Sequence, residues 1–188
     1  MSERYLTCAL MTEGRSDALF LTEVVQRQLL ALSVSTGPVV TVAIRTVAEA
    51  TTVRAELTEL MASCDVVLVH RDHRESAKLD ALRGLSAPGS RLVGLVPRAE
   101  TEAWALCDPS AFRAIRGADT AALPSKPREV ERITDPKRAL ADALPGLDPM
   151  TLLNRIGRDV SLDRLRQIPA YSTWLEELTQ ALKELHFL

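Results

Sequence analysis

VLVHRDHRES, residues 67–76, is the stretch on which the fold turns. An apolar run, Val66–Val69, stops abruptly at His70, Arg71, Asp72, His73, Arg74 and Glu75. Its apolar residues are consecutive rather than alternating, the pattern of a strand covered on both faces. In a parallel sheet of such strands, ligands bind beyond the carboxyl ends, where loops lead into helices. A buried strand with charges at its tip therefore delivers them to a site.

The flanking sequence repeats this grammar. Tyr5–Met11 is a first strand, followed by the turn Thr12-Glu13-Gly14-Arg15. Ser16 and Asp17 then offer capping oxygens to a helix of about 15 residues, in which Leu21, Val25, Leu29 and Leu32 recur at helical spacing. Gly37-Pro38 ends it, and Val39–Ile44 is a second strand. Thr46 with Glu49 reads as a capping box that opens a helix running to Ser63. After the third strand, Ser76–Leu85 is helical in pattern, Ala87-Pro88-Gly89 turns the chain, and Arg91–Val96 is a fourth strand. This alternation predicts an α/β fold with a mostly parallel four-stranded sheet flanked by helices.

Beyond Pro97 the pattern is helical: Glu100–Cys107, Pro109–Ile115, Ser161–Ile168 and an amphipathic Ser172–His186. Asp135-Pro136 and Asp148-Pro149 each place a capping aspartate before a proline at the first helical position. Residues 117–134, with Pro124 and Pro127, form a long connection. The expected organisation is an α/β core over residues 1–115 and an all-helical C-terminal extension, 116–188, packed on it.

Composition narrows the function classes. With 188 residues the chain can bury a real core. Its net charge of −2 gives no global attraction to nucleic acid and leaves only local basic patches. Cys8, Cys64 and Cys107 are widely spaced, which argues against a zinc site or a disulfide framework. The N-terminal MSERYLTCALMTEG lacks the apolar stretch of a signal peptide, and no window approaches about 18 apolar residues. A cytoplasmic protein without a membrane span is expected.

Charged groups fall at three strand ends: Glu13-Gly14-Arg15, Arg71-Asp72-His73-Arg74-Glu75 and Arg98-Ala99-Glu100-Thr101-Glu102. If the strands are neighbours, Glu13, Asp72, Glu75, Glu100 and Glu102 converge. Carboxylates of this kind suit a hard cation such as Mg2+, which takes one or two of them with water and substrate phosphate.

The sequence EGRSDALFL after the first strand, a D-x-D-like element after the third and VPRAETEAWALCDP after the fourth together resemble the Toprim fold, a Rossmann-like α/β arrangement. More narrowly, the chain resembles an uncharacterised bacterial Toprim-like family (domain of unknown function 4276) over nearly its whole length. The Glu102-Ala103-Trp104 segment, Asp135-Pro136-Lys137 opening a helix, and the tail pattern over Leu162–Leu182 carry the narrower likeness. The resemblance implies Mg2+-dependent phosphoryl transfer at a nucleic-acid backbone, with Glu13 as general acid/base and Asp72 as first metal ligand. It also places a second aspartate at position 74, where this sequence has Arg74. A guanidinium there repels the cation that a carboxylate would hold.

Three outcomes are open. Glu75 supplies the missing ligand; or Glu102 or Glu100 completes a rearranged site; or the metal is lost and Arg71 with Arg74 binds phosphate directly, as guanidinium forks suit phosphate oxygens. Arg15 and Lys137 are further candidates for phosphate or substrate. Each also has a plainer reading. Glu13 and Asp72 suit helix N-termini, Glu102 suits a buried carboxylate fixing a helix to the sheet, and Lys137 suits a solvated helix start. Of the histidines, His73 is the weak candidate and His70 reads as structural. The arginines of the extension, Arg155 and Arg158 among them, read mostly as a solvated face. The functional expectation is a Mg2+-dependent nuclease-like enzyme with an altered metal site. The alternative is a degenerate Toprim-like module that binds nucleic acid, a nucleotide or a protein partner without turnover.

Overall fold

The computed structural model describes residues 4–36, 39–48, 53–73, 79, 82 and 89–188. In chain order the elements are β1 (Arg4–Thr12), α1 (Arg15–Thr36), β2 (Val39–Ala48), α2 (Val53–Ser63), β3 (Val66–His70) and β4 (Arg91–Leu95). Then follow α3 (Thr101–Ala105), α4 (Pro136–Ala143), α5 (Pro149–Asp159), α6 (Leu162–Leu165) and α7 (Pro169–Glu184), with 3-10 turns at Pro109–Phe112 and Pro127–Arg132. The chain is α/β, with a four-stranded sheet that is parallel throughout and helices against both faces.

The strand order is β2-β1-β3-β4. From β1 the chain first moves to one side to make β2, then returns past β1 to make β3. The two crossovers pack on opposite faces because the strands carry apolar residues on both. Leu6, Cys8, Leu10, Val66, Leu68 and Val93 face α1 and the C-terminal helices. Ala9, Met11, Val67 and Val69 face Leu57, Leu60 and Met61 of α2, together with Leu79. Every residue of β3 is buried, as its unbroken apolar run requires. The reversal of direction between β1 and β3 opens a crevice at their carboxyl ends, the usual ligand position in open α/β sheets.

The helical region after Pro97 closes one face. Trp104 of α3 meets Tyr171 of α7 edge-on at 5.2 Å, and Tyr171 meets Trp174 at 5.0 Å. These buried rings share one apolar cluster with β1, β3, β4 and α1. The Tyr171 hydroxyl donates to Gln28 Oε1 of α1 at 3.1 Å, satisfying a polar group within that cluster. Among the described residues no helix is long and apolar enough to cross a membrane.

Three boundaries depart from the sequence expectation. Thr46 does not open a helix: it lies in β2, which pairs with β1 as far as Ala48, and its hydroxyl is 3.0 Å from that of Thr22. The β-branched run Thr41, Val42, Ile44, Thr46 and Val47 favours extension, and cross-strand pairing outweighs a local cap. Glu49, the other half of that capping box, lies outside the described residues. Helix α1 continues to Thr36 because residues on its later turns, Gln28, Leu29 and Ser33, are also buried. The last helix starts at Pro169, whose fixed φ suits a first turn. The expected Ser76–Leu85 helix falls almost wholly outside the described residues; Leu79 and Leu82 are helical.

Candidate functional site

At the switch point the chain leaving β1 meets the chain leaving β3. The backbone N–H of Arg71 donates to Leu95 O at 3.1 Å, which extends the β3–β4 pairing beyond the strand and fixes the residues that follow. The next N–H, of Asp72, donates to Glu13 Oε2 at 3.1 Å. The other oxygen, Glu13 Oε1, is 3.6 Å from Nε of Arg71, which is itself buried and donates from Nη1 to its neighbour's carbonyl, His70 O. Glu13 is thus held from two sides in a single orientation.

His70 is fully buried behind this pair. Its Nε2 is 3.0 Å from Thr101 Oγ1 and 3.8 Å from Asp72 Oδ1, while Nδ1 is 4.0 Å from Asp17 Oδ2. Nδ1 has no hydrogen-bond partner among the described residues. Burial lowers the imidazole pKa; the charges of Asp17 and Glu13 oppose this and Arg71 reinforces it. A neutral ring therefore stands between two carboxylates, Asp17 on the first turn of α1 and Asp72 beyond β3.

The surrounding charges are unbalanced. Burial raises the Asp72 carboxyl to about 6, helped by Asp17, Glu13 and Glu100 and opposed by Lys137. Burial also raises the Glu102 carboxyl on α3, against a backbone hydrogen bond and Lys137, with Asp17 and Glu100 adding to the rise. Lys137 Nζ donates to Glu100 Oε1 at 3.1 Å. Partial burial works against its ammonium, but Glu100, Glu102 and Asp72 outweigh that and hold its pKa above the ordinary value. Among the described residues, Glu13, Asp17, Asp72, Glu100 and Glu102 thus outnumber the cations beside them, Arg71, Lys137 and, on the wall of an adjoining cavity, Arg98. Carboxylates crowded into a shared site resist ionising together.

Of the candidates read from sequence, Glu13, Arg71 and Asp72 come together directly. Glu102 and Lys137 join the same field of charge, while Arg15 is exposed at the first residue of α1. Arg74 and Glu75 lie outside the described residues. The extension's arginines are largely engaged elsewhere: Arg155 donates to Ala114 O, Arg164 to Cys107 O and Ser125 O, and Arg138 pairs with Asp142. Two site residues were missed. Asp17 lies in the first turn of α1, just after the Glu13 turn, and its position at a helix start reads equally well as a cap. His70 sits at the last position of β3, and the alternation of a strand gives no way to tell which partner a buried ring will meet.

Oxygen donors of this kind fit Mg2+ in chemistry. No group of three His, Cys, Asp or Glu among the described residues is arranged to hold a metal ion. Mg2+ bound here would use one or two carboxylates with water, its ordinary mode, and Asp72, which lines the adjoining cavity, is the carboxylate best placed to serve. That cavity, of about 250 Å³, is lined by Asp72, His73, Arg98, Ala99, Glu100, Thr134 and Pro136. Compared with protein-family models, curated proteins and solved structures, the chain matches none.

Proposed function

We propose that this chain is a Toprim-like phosphoryl-transfer enzyme that hydrolyses phosphodiester bonds of nucleic acid with Mg2+. The observation that supports it is the gathering of Glu13, Asp17 and Asp72 at the β1/β3 switch point beside an open cavity. Crowded, partly desolvated carboxylates in a cleft at a sheet's carboxyl edge are functional-site candidates. Bound there, Mg2+ would neutralise charge developing on a transferring phosphoryl group. Glu13, oriented by the Asp72 N–H and Arg71, is the acid/base at the attacking or leaving oxygen. Arg98 at the cavity wall supplies a guanidinium to phosphate oxygens. Thr101 fixes the His70 ring, which packs behind Asp72.

A second reading, a module that binds without turnover, draws support from the protein's own cations: Arg71 stands 3.6 Å from Glu13 and Lys137 3.1 Å from Glu100. Arg74 adds a positive charge where the resemblance wants a carboxylate. Mn2+ calorimetry with plasmid-nicking and single-strand cleavage assays separates the two. The enzyme reading expects millimolar or tighter metal binding, and cleavage lost by at least a hundredfold in Glu13→Gln and Asp72→Ala. No metal binding in the native chain, with affinity created by Arg74→Asp, would establish the second reading instead.

A further inference from the structure

The 250 Å³ cavity beside Asp72 does not end the cleft. His73 and Arg98, which line it, also line a larger hollow of about 560 Å³ beyond the end of β4. Its walls are Gly94 and Val96 from β4 and the chain after it, and Pro169, Ala170 and Trp174 from the start of α7. Glu131, Thr173 and Glu177 complete the lining. The Glu131 carboxylate accepts the Ala170 N–H at 3.0 Å, placing a negative charge at the opening of α7 that disfavours an anion there. Among the described lining residues, an anion entering this cleft meets a guanidinium where the two spaces join, at Arg98, with the His73 ring beside it. The hollow beyond is an apolar wall with carboxylate acceptors, sized within the usual range for small-molecule sites.

We infer that the cleft binds a nucleoside 5′-phosphate unit, its phosphate at Arg98 and His73 and its base in the hollow against Val96, Pro169 and Trp174. This rests on the phosphoryl-transfer reading and names its substrate class. The apolar wall of Val96, Pro169 and Trp174 suits a base face, and the second carboxylate oxygen of Glu131 suits its exocyclic amine. With the phosphate at the junction, the scissile bond lies on the Asp72 side, since Asp72 and Glu100 line only the smaller cavity. A free nucleotide and one unit of a single strand present the same chemistry.

The test is titration of the full chain, in EDTA, with 5′-AMP, ribose 5-phosphate and hexadeoxyadenylate, read by calorimetry. AMP should bind with Kd of about 1 mM or tighter, and ribose 5-phosphate at least tenfold more weakly. Arg98→Ala, which removes the guanidinium, and Thr173→Phe, which fills the hollow, should each weaken AMP at least tenfold. Both residues are exposed, so neither change touches the core. A hexamer tighter than AMP assigns the unit to a strand; one no tighter assigns a free nucleotide. No AMP binding at 10 times the expected Kd, equal affinity for ribose 5-phosphate, or affinity indifferent to Thr173→Phe would overturn the inference. Because these titrations contain no free divalent ion, AMP binding without any Mg2+-dependent cleavage overturns the catalytic reading alone. Cleavage that proceeds with AMP affinity unmoved by either variant overturns the nucleotide hollow alone.

Discussion

Asp72 ionises at neutral pH only against burial and the field of Asp17, Glu13 and Glu100. Its folded pKa, about 6, lies above the ordinary value of about 4 for an unfolded aspartate. Between those values the folded chain holds more protons than the unfolded one, so this residue's contribution to stability falls as pH rises through 4–6. Asp72→Asn should therefore raise Tm relative to the native chain at pH 7 and leave it unchanged at pH 4, a comparison that differential scanning calorimetry makes directly. Asp108 is the opposite case. Burial alone would raise it, but donors from Ser110 (side chain and backbone), the Ser161 N–H and nearby Arg164 hold it below the ordinary value. Its contribution is present above the unfolded pKa and fades as pH falls through the folded one. Asp108→Ala, which strands the Ser161 and Ser110 N–H groups, should cost about 1–3 kcal/mol at pH 7 by urea denaturation. That gap should narrow in acid.

Helix α5 is held against α1 by a close approach that only glycine permits. A Cβ on Gly157 would stand 2.7 Å from Phe20 O and 3.2 Å from Glu23 Cβ. The same contact lets Arg27 of α1 donate to Gly157 O at 2.9 Å and Val160 O at 2.7 Å. Gly157→Ala gains helix propensity of up to about 1 kcal/mol, yet forcing the helices apart costs about 1–3 kcal/mol and strains both arginine bonds. Net destabilisation is expected, visible as a lower urea midpoint with an unchanged m-value. The sequence shows a glycine inside a helical pattern there but not what lies opposite, since residues 20 and 157 meet only after both helices have packed. Helix caps were more legible: Asp135 and Asp148 accept from Arg138 N and Met150 N within their own helices, as the Asp-Pro pairs suggest.

At the scale of the whole molecule, the sheet's C-terminal-helix face has no core of its own. Leu10, Leu68 and Val93 lie in one cluster with Val130, Leu140, Leu153, Tyr171 and Leu178. A fragment of residues 1–115 should therefore fail to fold, giving no cooperative thermal transition and no dispersed amide spectrum. The same construction explains the site. Glu13, Asp72 and Glu102 belong to three separate chain segments, brought to one edge because the parallel sheet points its carboxyl ends the same way. Lys137, from the helical region, reaches Glu100 only because that region packs on the sheet.

Sequence by itself determined the α/β alternation, because continuous apolar runs and 3.6-residue stripes are local signals of burial that each segment carries alone. It also marked Glu13, Arg71 and Asp72, since charges that end a buried strand have few places to go. Only tertiary structure decided the strand order, and with it which strand ends are neighbours. Packing alone set His70 between Asp17 and Asp72, raised the Asp72 pKa and joined two cavities at Arg98 and His73. Desolvation and Coulomb interaction depend on distances between groups remote in sequence, and no period or spacing along the chain encodes them.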